Sequence, residues 1–345
     1  MRRTLMMGQG GNLGLVDNRY RLVRMLGEGA AGAVWLAHDE RLEIDVALKI
    51  LRAKVATKET IARFLREAEL AERMLSPHIV RVLARGVDTD DAPYIVYELL
   101  DGDDLSKHVS SNRRLSLQAV RTVVVHTCRA LARAHSIGVL HRDIKPENLF
   151  VTKSEGRSLL KVLDFGVAEV VAAADREGPI VGTLEYMAPE VVLGERPPSV
   201  QSDLFSLAVV AYQCLSGSPP FRADNIGQLV LAHATTTPKR VRNVDYLVPL
   251  QVDKWFERAL ARDPDARFES ARDMAGAFES AVSVVKANAT GVFANLDPNF
   301  MRRRESSQYV IVTPRESSAS LPCAEDAGEK EEQMPPSVHN ARSAN

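Results

Sequence analysis

Two short polar segments constrain this chain more than any other feature of its sequence. Residues 141–150 read HRDIKPENLF, and the triplet DFG begins at residue 164, sixteen residues after Asn148. Each segment lies on a short loop beside an apolar, strand-like run, LFV in one case and KVLDF in the other. Together they supply two carboxylates, Asp143 and Asp164, one ammonium group, Lys145, and one amide, Asn148.

This set of side chains points to one kind of chemistry. Hard oxygen ligands such as Asn and Asp suit Mg²⁺, a free carboxylate suits a base, and a lysine suits phosphate. The alternative, that all four are ordinary polar loop residues, is disfavoured because their spacing agrees with a phosphoryl-transfer signature. The two segments therefore predict a site for phosphoryl transfer.

A glycine run near the start, LGEGAAGAV, contains Gly27, Gly29 and Gly32 with G-x-G-x-x-G spacing. By itself this spacing fits a dinucleotide cradle, a cover over the phosphates of ATP, or a simple turn. A strand pattern rather than a helix follows the glycines, which argues against the dinucleotide fold. The sequence G-x-x-x-x-G-K-[ST] does not occur, so a P-loop is excluded.

Lys49, in the apolar segment VALK, is a further candidate. A lysine inside an apolar strand costs desolvation energy unless it snorkels at an edge or meets an anion. The edge position is the simpler interpretation of a lone lysine. Glu67 favours the other interpretation, in which Lys49 meets an anion. Glu67 follows Phe64 by three residues and precedes Ala71 by four, so it lies at the inward border of a predicted helix, where it could pair with Lys49.

The hydrophobic pattern divides the chain into a β-rich and a helical part. Strands are predicted in YRLVRMLG, GAVWLAHDE, DVALKILRA and PYIVYELL, with one helix in KETIARFLREAELAERML. Long helices are predicted in SLQAVRTVVVHTCRALARAHSIG, capped by Ser116, and in SDLFSLAVVAYQCLSG, which ends at Gly217. Residues 1–16 are interpreted as a flexible leader, because they are rich in glycine and lack periodicity. Residues 286–345 are interpreted as a mostly disordered tail, because few large apolar side chains occur there.

Composition limits the partners and the compartment. A formal net charge of -1 gives no whole-protein field that would attract nucleic acid, so we expect no nucleic-acid partner. The three cysteines are widely spaced without a C-x-x-C motif, which suggests reduced thiols and a cytoplasmic location. No segment approaches 18 uncharged apolar residues, so no membrane span is expected. The sequence leaves the oligomeric state open, including a dimer.

Taken together, the motifs resemble a known family. GEGAAGAV, VALK, HRDIKPEN, DFG, GTLEYMAPE, SDLFSLAVV and DPDARF occur in the order found in eukaryotic-like, Hanks-type serine/threonine protein kinases, most similar to the bacterial group. The resemblance covers residues 20 to about 283. It implies an α+β, bilobal protein-kinase fold, with a small β-rich N-lobe containing one helix at 17–98 and a larger, mainly α C-lobe at 99–285.

The resemblance also implies roles for individual residues. Lys49 would hold the α- and β-phosphates of ATP, oriented by Glu67, and Asn148 and Asp164 would hold Mg²⁺, with Mn²⁺ as a substitute. Asp143 would accept or steer the proton of the attacking hydroxyl. The remaining catalytic residues would be Lys145, which neutralises charge on the moving phosphoryl group, and Thr183, which hydrogen-bonds Asp143 and Lys145. The implied cofactor-binding residues are Leu26, Gly27, Gly29, Gly32, Val34, Ala47, Lys49, Glu98, Leu100 and Phe150, and Tyr97 is expected to close the pocket behind adenine.

The predicted activity is transfer of the γ-phosphoryl group of ATP to serine and threonine hydroxyls of protein substrates. Autophosphorylation is expected in the tail sequence RRRESS at 302–307. The alternative is a pseudokinase that serves as a scaffold or binding module, which is disfavoured because no metal, base or lysine position is lost. Asp103, Asp104 and Glu147 are expected near the peptide groove, which would favour arginine before the target hydroxyl.

The segment between Gly166 and Gly182 has no Ser, Thr or Tyr, although relatives of this family carry an activating phosphate there. We therefore hypothesise that Asp175 and Glu177 supply a fixed carboxylate to Arg142 in place of that phosphate. The alternative is a segment that becomes ordered only with substrate, a partner or dimerisation.

Overall fold

The computed structural model describes residues 14–29, 32–52, 57–109, 114–154, 157–165, 185–222, 225–243, 245 and 248–283 of the chain. For Arg63, Glu67, Ser154, Arg157, Ile226 and Ala234 it describes the backbone alone. The first 13 residues, the segment 166–184 and the predicted disordered tail therefore lie outside the described residues. All described residues belong to one compact unit.

The N-terminal part is an antiparallel six-stranded sheet with strand order β1-β2-β3-β4-β6-β5. Its strands are β1 Leu15–Val16, β2 Tyr20–Glu28, β3 Gly32–Asp39, β4 Ile44–Leu51, β5 Val82–Val87 and β6 Pro93–Glu98. The four predicted strands are confirmed, whereas β1 and β5 were not predicted. Leu15 and Val16, the last two residues of the predicted leader, form β1 and pair with β2.

Side chains of the central strand β4 show that the two faces of the sheet pack against different apolar clusters. Side chains alternate between the two faces of a strand, so Val46 and Leu48 point to one face and Ala47 to the other. Val46 and Leu48 belong to an apolar cluster with Tyr20 and Val96, and Ala47 belongs to a separate cluster that faces the helical part. This alternation places Lys49 on the same face as Ala47.

One helix, α1 Lys58–Arg73, packs against β5 and β6, and it is the only helix among the described residues of the sheet part. Thr57 begins the helix with a capping box, in which its side chain and that of Thr60 each accept a hydrogen bond from the other's main-chain N–H. Phe64 and Ala68 are buried and fix the inward face. Leu75, which the pattern placed on that face, lies beyond the helix end and is 74% exposed.

The C-terminal part is mainly helical. Its helices are α2 Leu117–His135, α3 Pro189–Val192, α4 Val200–Ser216, α5 Ile226–Thr235, α6 Leu250–Ala259 and α7 Ala271–Ser283. A small antiparallel sheet in the order β7-β8-β9 consists of Gly102–Asp104, Leu149–Ser154 and Arg157–Val162. The predicted cap Ser116 accepts a hydrogen bond from the Ala119 N–H at 3.2 Å, and Gly217 ends α4 with a φ of 82°.

The two parts meet at the loop that follows α1. The Val162 N–H donates to the His78 carbonyl at 2.8 Å, and the Val80 N–H donates to the Val162 carbonyl at 3.0 Å. The loop thereby extends the small sheet and anchors the large one. This α+β, two-part architecture confirms the predicted bilobal fold. No helix in the described part of the chain combines the length and apolarity needed to cross a membrane.

Candidate active site

The β8–β9 hairpin brings the two polar segments together. Asn148 immediately precedes β8, Asp164 follows β9 by two residues, and Leu149 pairs with Val162 in the antiparallel ladder. The Leu163 N–H donates to the Asn148 carbonyl at 2.9 Å, which continues the pairing to the edge of the site. The two predicted metal ligands therefore lie at the same end of one hairpin, as the sheet geometry requires.

The loop before β8 forms a compact hydrogen-bonded group. Asn148 Nδ2 donates to the Asp143 carbonyl at 2.7 Å and to Asp143 Oδ2 at 2.9 Å. Lys145 Nζ lies 2.7 Å from the same Oδ2. Asn148 and Lys145 are buried, whereas the Asp143 side chain keeps 15% of its surface exposed. Asp143 is thus held in position by two neighbours and remains accessible to a reacting group.

Lys49 reaches this group from the opposite side of the cleft. Its Nζ donates to Asp164 Oδ1 at 2.7 Å, and the two side chains are 5% and 16% exposed. The strand lysine therefore meets an anion and does not snorkel at an edge, while its role toward a phosphate stays a prediction. The described part of Glu67 is its backbone, in α1, so its pairing with Lys49 stays a prediction.

A buried aspartate on α4 holds the loop from behind. Asp203 is 1% exposed and accepts hydrogen bonds from the main-chain N–H groups of His141 and Arg142 at 2.9 and 2.8 Å. His135 Nε2 lies 2.8 Å from the same carboxylate. The backbone here is strained, because Arg142 and Asp164 adopt positive φ values of 67° and 52°. Asp203 offsets part of this strain by fixing the adjoining peptide groups.

His141 also holds the loop that contains Asp143 in position, and it does not act as a base. It is fully buried, its Nε2 lies 2.9 Å from the Leu163 carbonyl, and its Nδ1 accepts from the Asp143 N–H at 3.2 Å. Burial lowers the pKa of His141 below its ordinary value, so the ring is neutral and both nitrogens are engaged. The ring also packs edge-on against Phe165 at 4.7 Å. His141 and Phe165 are therefore packing residues.

An apolar cluster forms the floor and roof of the cleft. It contains the five predicted apolar cofactor-binding residues, which are Leu26, Val34, Ala47, Leu100 and Phe150. They come from both sides of the cleft, with β2, β3 and β4 above and β8 below. Tyr97 belongs to the same cluster and is 8% exposed, in keeping with its predicted position at the back of the pocket. Such a set suits a flat, apolar ring.

Leu163 was not predicted as part of this set. It is 2% exposed, lies in the same cluster, and directly precedes Asp164. The signal that could have identified it is its place as the last apolar residue before the polar triplet. The pattern could not distinguish it from an ordinary core residue, because Val162 beside it is equally apolar and lies in the core of the helical part.

The glycine run forms a tight β2–β3 connection. The Gly29 N–H donates to the Gly32 carbonyl at 2.8 Å, and Gly27 pairs with Val34. A Cβ atom on Gly32 would lie 2.1 Å from the Ile50 carbonyl oxygen, so β3 and β4 approach closely enough to exclude any side chain there. The glycines thus serve a hairpin in the sheet, in agreement with the interpretation that excluded the dinucleotide fold.

Glu98 differs in role from the other predicted cofactor-binding residues. Its carboxylate lies 2.7 Å from Lys161 Nζ and accepts from the Arg81 N–H at 2.7 Å. The side chain therefore ties β6 to β9 and to the loop before β5.

A second buried anchor lies beneath the site. Arg267 donates through both terminal nitrogens to the Glu190 carboxylate at 2.8 and 2.7 Å, with side-chain exposures of 0% and 4%. Arg267 also donates to three main-chain carbonyls, those of Ala261, Gln201 and Arg262. These bonds make the pair an anchor of the helical part. Thr183, Asp175 and Glu177 lie in the segment outside the described residues, so their roles stay predictions.

The donor groups present fit ATP and a divalent ion. Asn148 directs its Nδ2 to Asp143, which leaves Oδ1 as an oxygen donor at the same end of the hairpin as Asp164. Amide and carboxylate oxygens are the ligands that Mg²⁺ takes from proteins, with the rest supplied by phosphate and water. No group of three His, Cys, Asp or Glu residues within the described ranges could hold a metal by itself. A divalent ion here would therefore depend on phosphate oxygens.

Comparison with known proteins agrees with this geometry. The protein kinase domain family matches residues 20–276. Serine/threonine-protein kinase Pkn1 of Myxococcus xanthus is 36% identical over 287 residues, 82% of this chain and 40% of Pkn1. Serine/threonine-protein kinase PknB of Mycolicibacterium smegmatis is 34% identical over 267 residues, 75% of this chain and 42% of PknB. The chain thus spans less than half the length of these two relatives.

A solved structure shows the same architecture. The crystal structure of the PknI kinase domain of Mycobacterium tuberculosis matches with a TM-score of 0.61 and 30% sequence identity, covering 78% of this chain and 98% of that one. The match extends over both parts of the described structure. From the cleft geometry, the family match and these relatives together, the chain belongs to the protein kinase family, in its group of Hanks-type bacterial serine/threonine protein kinases.

Proposed function

We propose that this protein transfers the γ-phosphoryl group of ATP to serine and threonine hydroxyls of protein substrates, with Mg²⁺ as the preferred ion. The observation that carries the proposal is the hydrogen-bonded group of Asp143, Lys145 and Asn148 together with the Lys49–Asp164 pair, in which Asn148 and Asp164 lie at the same end of one hairpin. This arrangement provides a base, charge neutralisation and metal ligands within one site.

Each side chain has a distinct task in the proposed reaction. Asp143 orients the attacking hydroxyl and takes its proton at Oδ1 or Oδ2. Lys145, 2.7 Å from Asp143, offsets negative charge on the transferred group. Lys49 exchanges part of its contact with Asp164 for the α- and β-phosphates. The bound ion would neutralise phosphate charge while held by Asn148 and Asp164.

The scaffold alternative is less well supported by these contacts. A pseudokinase needs the fold but not the exposed Asp143 carboxylate or the bond from Lys145 to it. Burying Lys49 and Asp164 in the cleft costs desolvation energy that a pure scaffold could avoid with apolar residues. We therefore propose an active enzyme, including autophosphorylation of the tail.

Substrate choice must be revised from the sequence prediction. Asp103 lies 2.6 Å from Lys107 Nζ, and Asp104 is 1% exposed and caps the turn at Leu105–Lys107. Neither is well placed to receive an arginine from a substrate. Glu147 remains a candidate, because burial raises its pKa and a positively charged arginine beside it would favour the ionised carboxylate. We propose an arginine preference that rests on Glu147.

The proposed setting is the cytoplasm, with protein substrates and without nucleic-acid partners. The two described cysteines, Cys128 and Cys214, are free and buried, which suits a reducing compartment. The net charge of -1 supports the absence of nucleic acid from the list of partners.

The test is transfer of radiolabelled phosphate from ATP by the full chain, with Mg²⁺ or Mn²⁺ and myelin basic protein as substrate. Asp143→Asn should lower kcat by about 10²–10⁴-fold and leave KM for ATP nearly unchanged, since the group acts on the hydroxyl. Mass spectrometry of the same sample would reveal phosphate at Ser306 and Ser307.

Asp265→Asn, at an exposed carboxylate paired only with Arg196, is the matched control and should keep the wild-type rate. Absence of transfer by the wild-type protein with either ion, combined with normal ATP binding, would favour the scaffold alternative. An Asp143→Asn protein with the wild-type rate would refute the assignment of the base.

A further inference from the structure

A second cavity lies in the helical part, among α4, α5, α6 and the connection after α5. Its volume is about 480 Å³, within the usual range for small-molecule sites. The side chains that matter most are Phe205, Tyr212, Phe221, His233, Asp253 and Phe256. Its lining residues and the described residues of the active site do not overlap.

Aromatic rings form its walls. Phe205 and Phe221 are stacked with ring centroids 6.2 Å apart and an angle of 12° between the planes. His233 lies 4.5 Å from the Phe221 ring, and Tyr212 and Phe256 meet edge-on at 5.5 Å. Flat surfaces of this kind favour a planar ring over a branched aliphatic ligand.

Two buried polar side chains face this cavity with unused hydrogen-bonding groups. His233 is 7% exposed and Asp253 is 2% exposed. Among the described residues, both ring nitrogens of His233 and Oδ2 of Asp253 have no hydrogen-bond partner. Asp253 Oδ1 accepts one long bond, 3.3 Å from the Arg242 N–H. Buried polar atoms are nearly always bonded, so these three atoms point to a ligand or to ordered water.

The protonation of His233 defines what it can bind. Burial lowers its pKa to about 4, and the nearby Arg267 and Arg262 act in the same direction while Glu190 opposes them. At neutral pH the ring therefore offers one donor and one acceptor. Asp253, in contrast, offers only acceptors when ionised, so it requires an N–H or O–H group from a ligand.

The exposed rim of the cavity is mainly cationic. Lys239, Arg240 and Arg262 are exposed residues that line it. Arg240 lies 3.6 Å from Glu257, so part of its charge is already compensated. The rim therefore favours a ligand that carries an anionic group. The acceptor oxygens of Asp253 in the interior favour an amino group on the same ligand.

We propose that this cavity is a binding site for a planar, amino-substituted heteroaromatic ring that carries an anionic group, the chemistry of an aminopyrimidine or aminopurine mononucleotide. The ring packs between the aromatic side chains, its amino group donates to Asp253 Oδ2, and its edge contacts His233. The anionic group lies toward Lys239 and Arg262. The site does not depend on the phosphoryl-transfer reaction in the other cleft.

The experiment measures binding of cytidine monophosphate and uridine monophosphate to the full chain by titration calorimetry. The two compounds differ at the group that would meet Asp253, an amino group in one and a carbonyl in the other. Cytidine monophosphate should bind about tenfold more tightly, since a carbonyl cannot donate to a carboxylate. Cytidine without phosphate should bind more weakly and with less dependence on salt.

Asp253→Asn is the decisive variant, because an amide can donate to the uridine carbonyl. It should reverse or abolish the preference, whereas Asp265→Asn should leave it unchanged. If Asp253→Asn does not fold, as judged by thermal unfolding, Lys239→Ala serves instead and should weaken both phosphorylated compounds but not cytidine. Equal affinity for the two compounds, no binding at millimolar concentration, or a preference that Asp253→Asn leaves unchanged would overturn the proposal, and water would then be the occupant. Kinase activity enters none of these readouts.

Discussion

At the scale of single residues, the most informative contacts are those that bury charge. Lys49–Asp164 and Glu190–Arg267 are both shielded from water, but they differ in what surrounds them. The first lies in the cleft. The second is surrounded by main-chain carbonyls that complete the hydrogen bonding of Arg267. The second pair is therefore structural.

Replacement of Glu190 by Gln should strongly destabilise the fold. The guanidinium of Arg267 would remain buried without its carboxylate, which typically costs about 3–5 kcal/mol. Urea denaturation of the variant and the wild type would measure the difference. Arg196→Ala removes an exposed ion pair with Asp265 and should change the free energy of unfolding very little. Equal effects of the two changes would contradict the assigned role of the buried pair.

Two glycine substitutions should act in opposite directions. Gly32→Ala would place a Cβ 2.1 Å from the Ile50 carbonyl oxygen, forcing β3 and β4 apart at a cost of about 1–3 kcal/mol. Gly276→Ala, on the exposed side of α7 with no atom within 4 Å of the new Cβ, should stabilise by about 0.5–1 kcal/mol. Thermal unfolding of both variants tests this, and a stabilising Gly32→Ala would show that the strands separate easily.

At the scale of elements, α4 organises the helical part. It is buried along most of its length and packs against α2, α6 and α7. Its first turn carries Asp203, which fixes the backbone of the loop containing Asp143. The start of α4 is set by Ser199, three residues before the position at which the sequence pattern placed it. Because the position at which α4 begins determines where Asp203 lies, the cap contributes to the site as well as to stability.

Removal of this cap by Ser199→Ala should lower the free energy of unfolding by about 1 kcal/mol, since the Ser202 N–H would lose its side-chain acceptor and keep only the Ser199 carbonyl. Ser280→Ala provides the control, as Ser280 is exposed within α7 and alanine is the better helix former. It should be neutral or slightly stabilising. Chemical denaturation of both proteins measures these effects, and equal losses would argue against a capping role.

At the scale of the whole molecule, buried histidines link stability to pH. Burial is the main reason that the pKa values of His78, His126, His141 and His233 all lie below their ordinary value of 6.5. The unfolded chain therefore binds more protons than the folded one between that value and the lowered ones. The histidines thus make the fold less stable as the pH falls below about 6.5. Glu147 and Glu185, whose pKa values burial raises, act in the opposite direction.

The contribution of one histidine can be isolated with His126→Gln. The pKa of His126 is lowered to about 4, so its destabilising effect should develop as the pH falls from 6.5 toward 4. Denaturation curves at pH 7.5 and 5.0 should show a smaller loss of stability for the variant than for the wild type. Asp39, whose pKa Arg19 holds below 3.8, loses its contribution only at lower pH and does not interfere. An unchanged pH dependence would contradict this account of His126.

The sequence by itself determined the chemistry and most of the elements. The spacing of Asp143, Lys145 and Asn148 relative to Asp164 identified the reaction, because these side chain types on two short loops suit few other tasks. Alternating apolar residues predicted the strands β2, β3, β4 and β6, and Ser116 and Gly217 marked helix ends. These are local properties, in which each residue is constrained by neighbours a few positions away.

Tertiary structure decided which partner each of these side chains meets. Asp164 pairs with Lys49 from 115 residues away, and Asp104 caps a turn although its charge suggested a peptide groove. The weakly patterned β5 forms because β6 offers it hydrogen bonds, and the cavity around His233 and Asp253 exists only where three helices meet. Local pattern carries no information about such contacts, because they depend on how distant segments pack and which polar groups that packing removes from water.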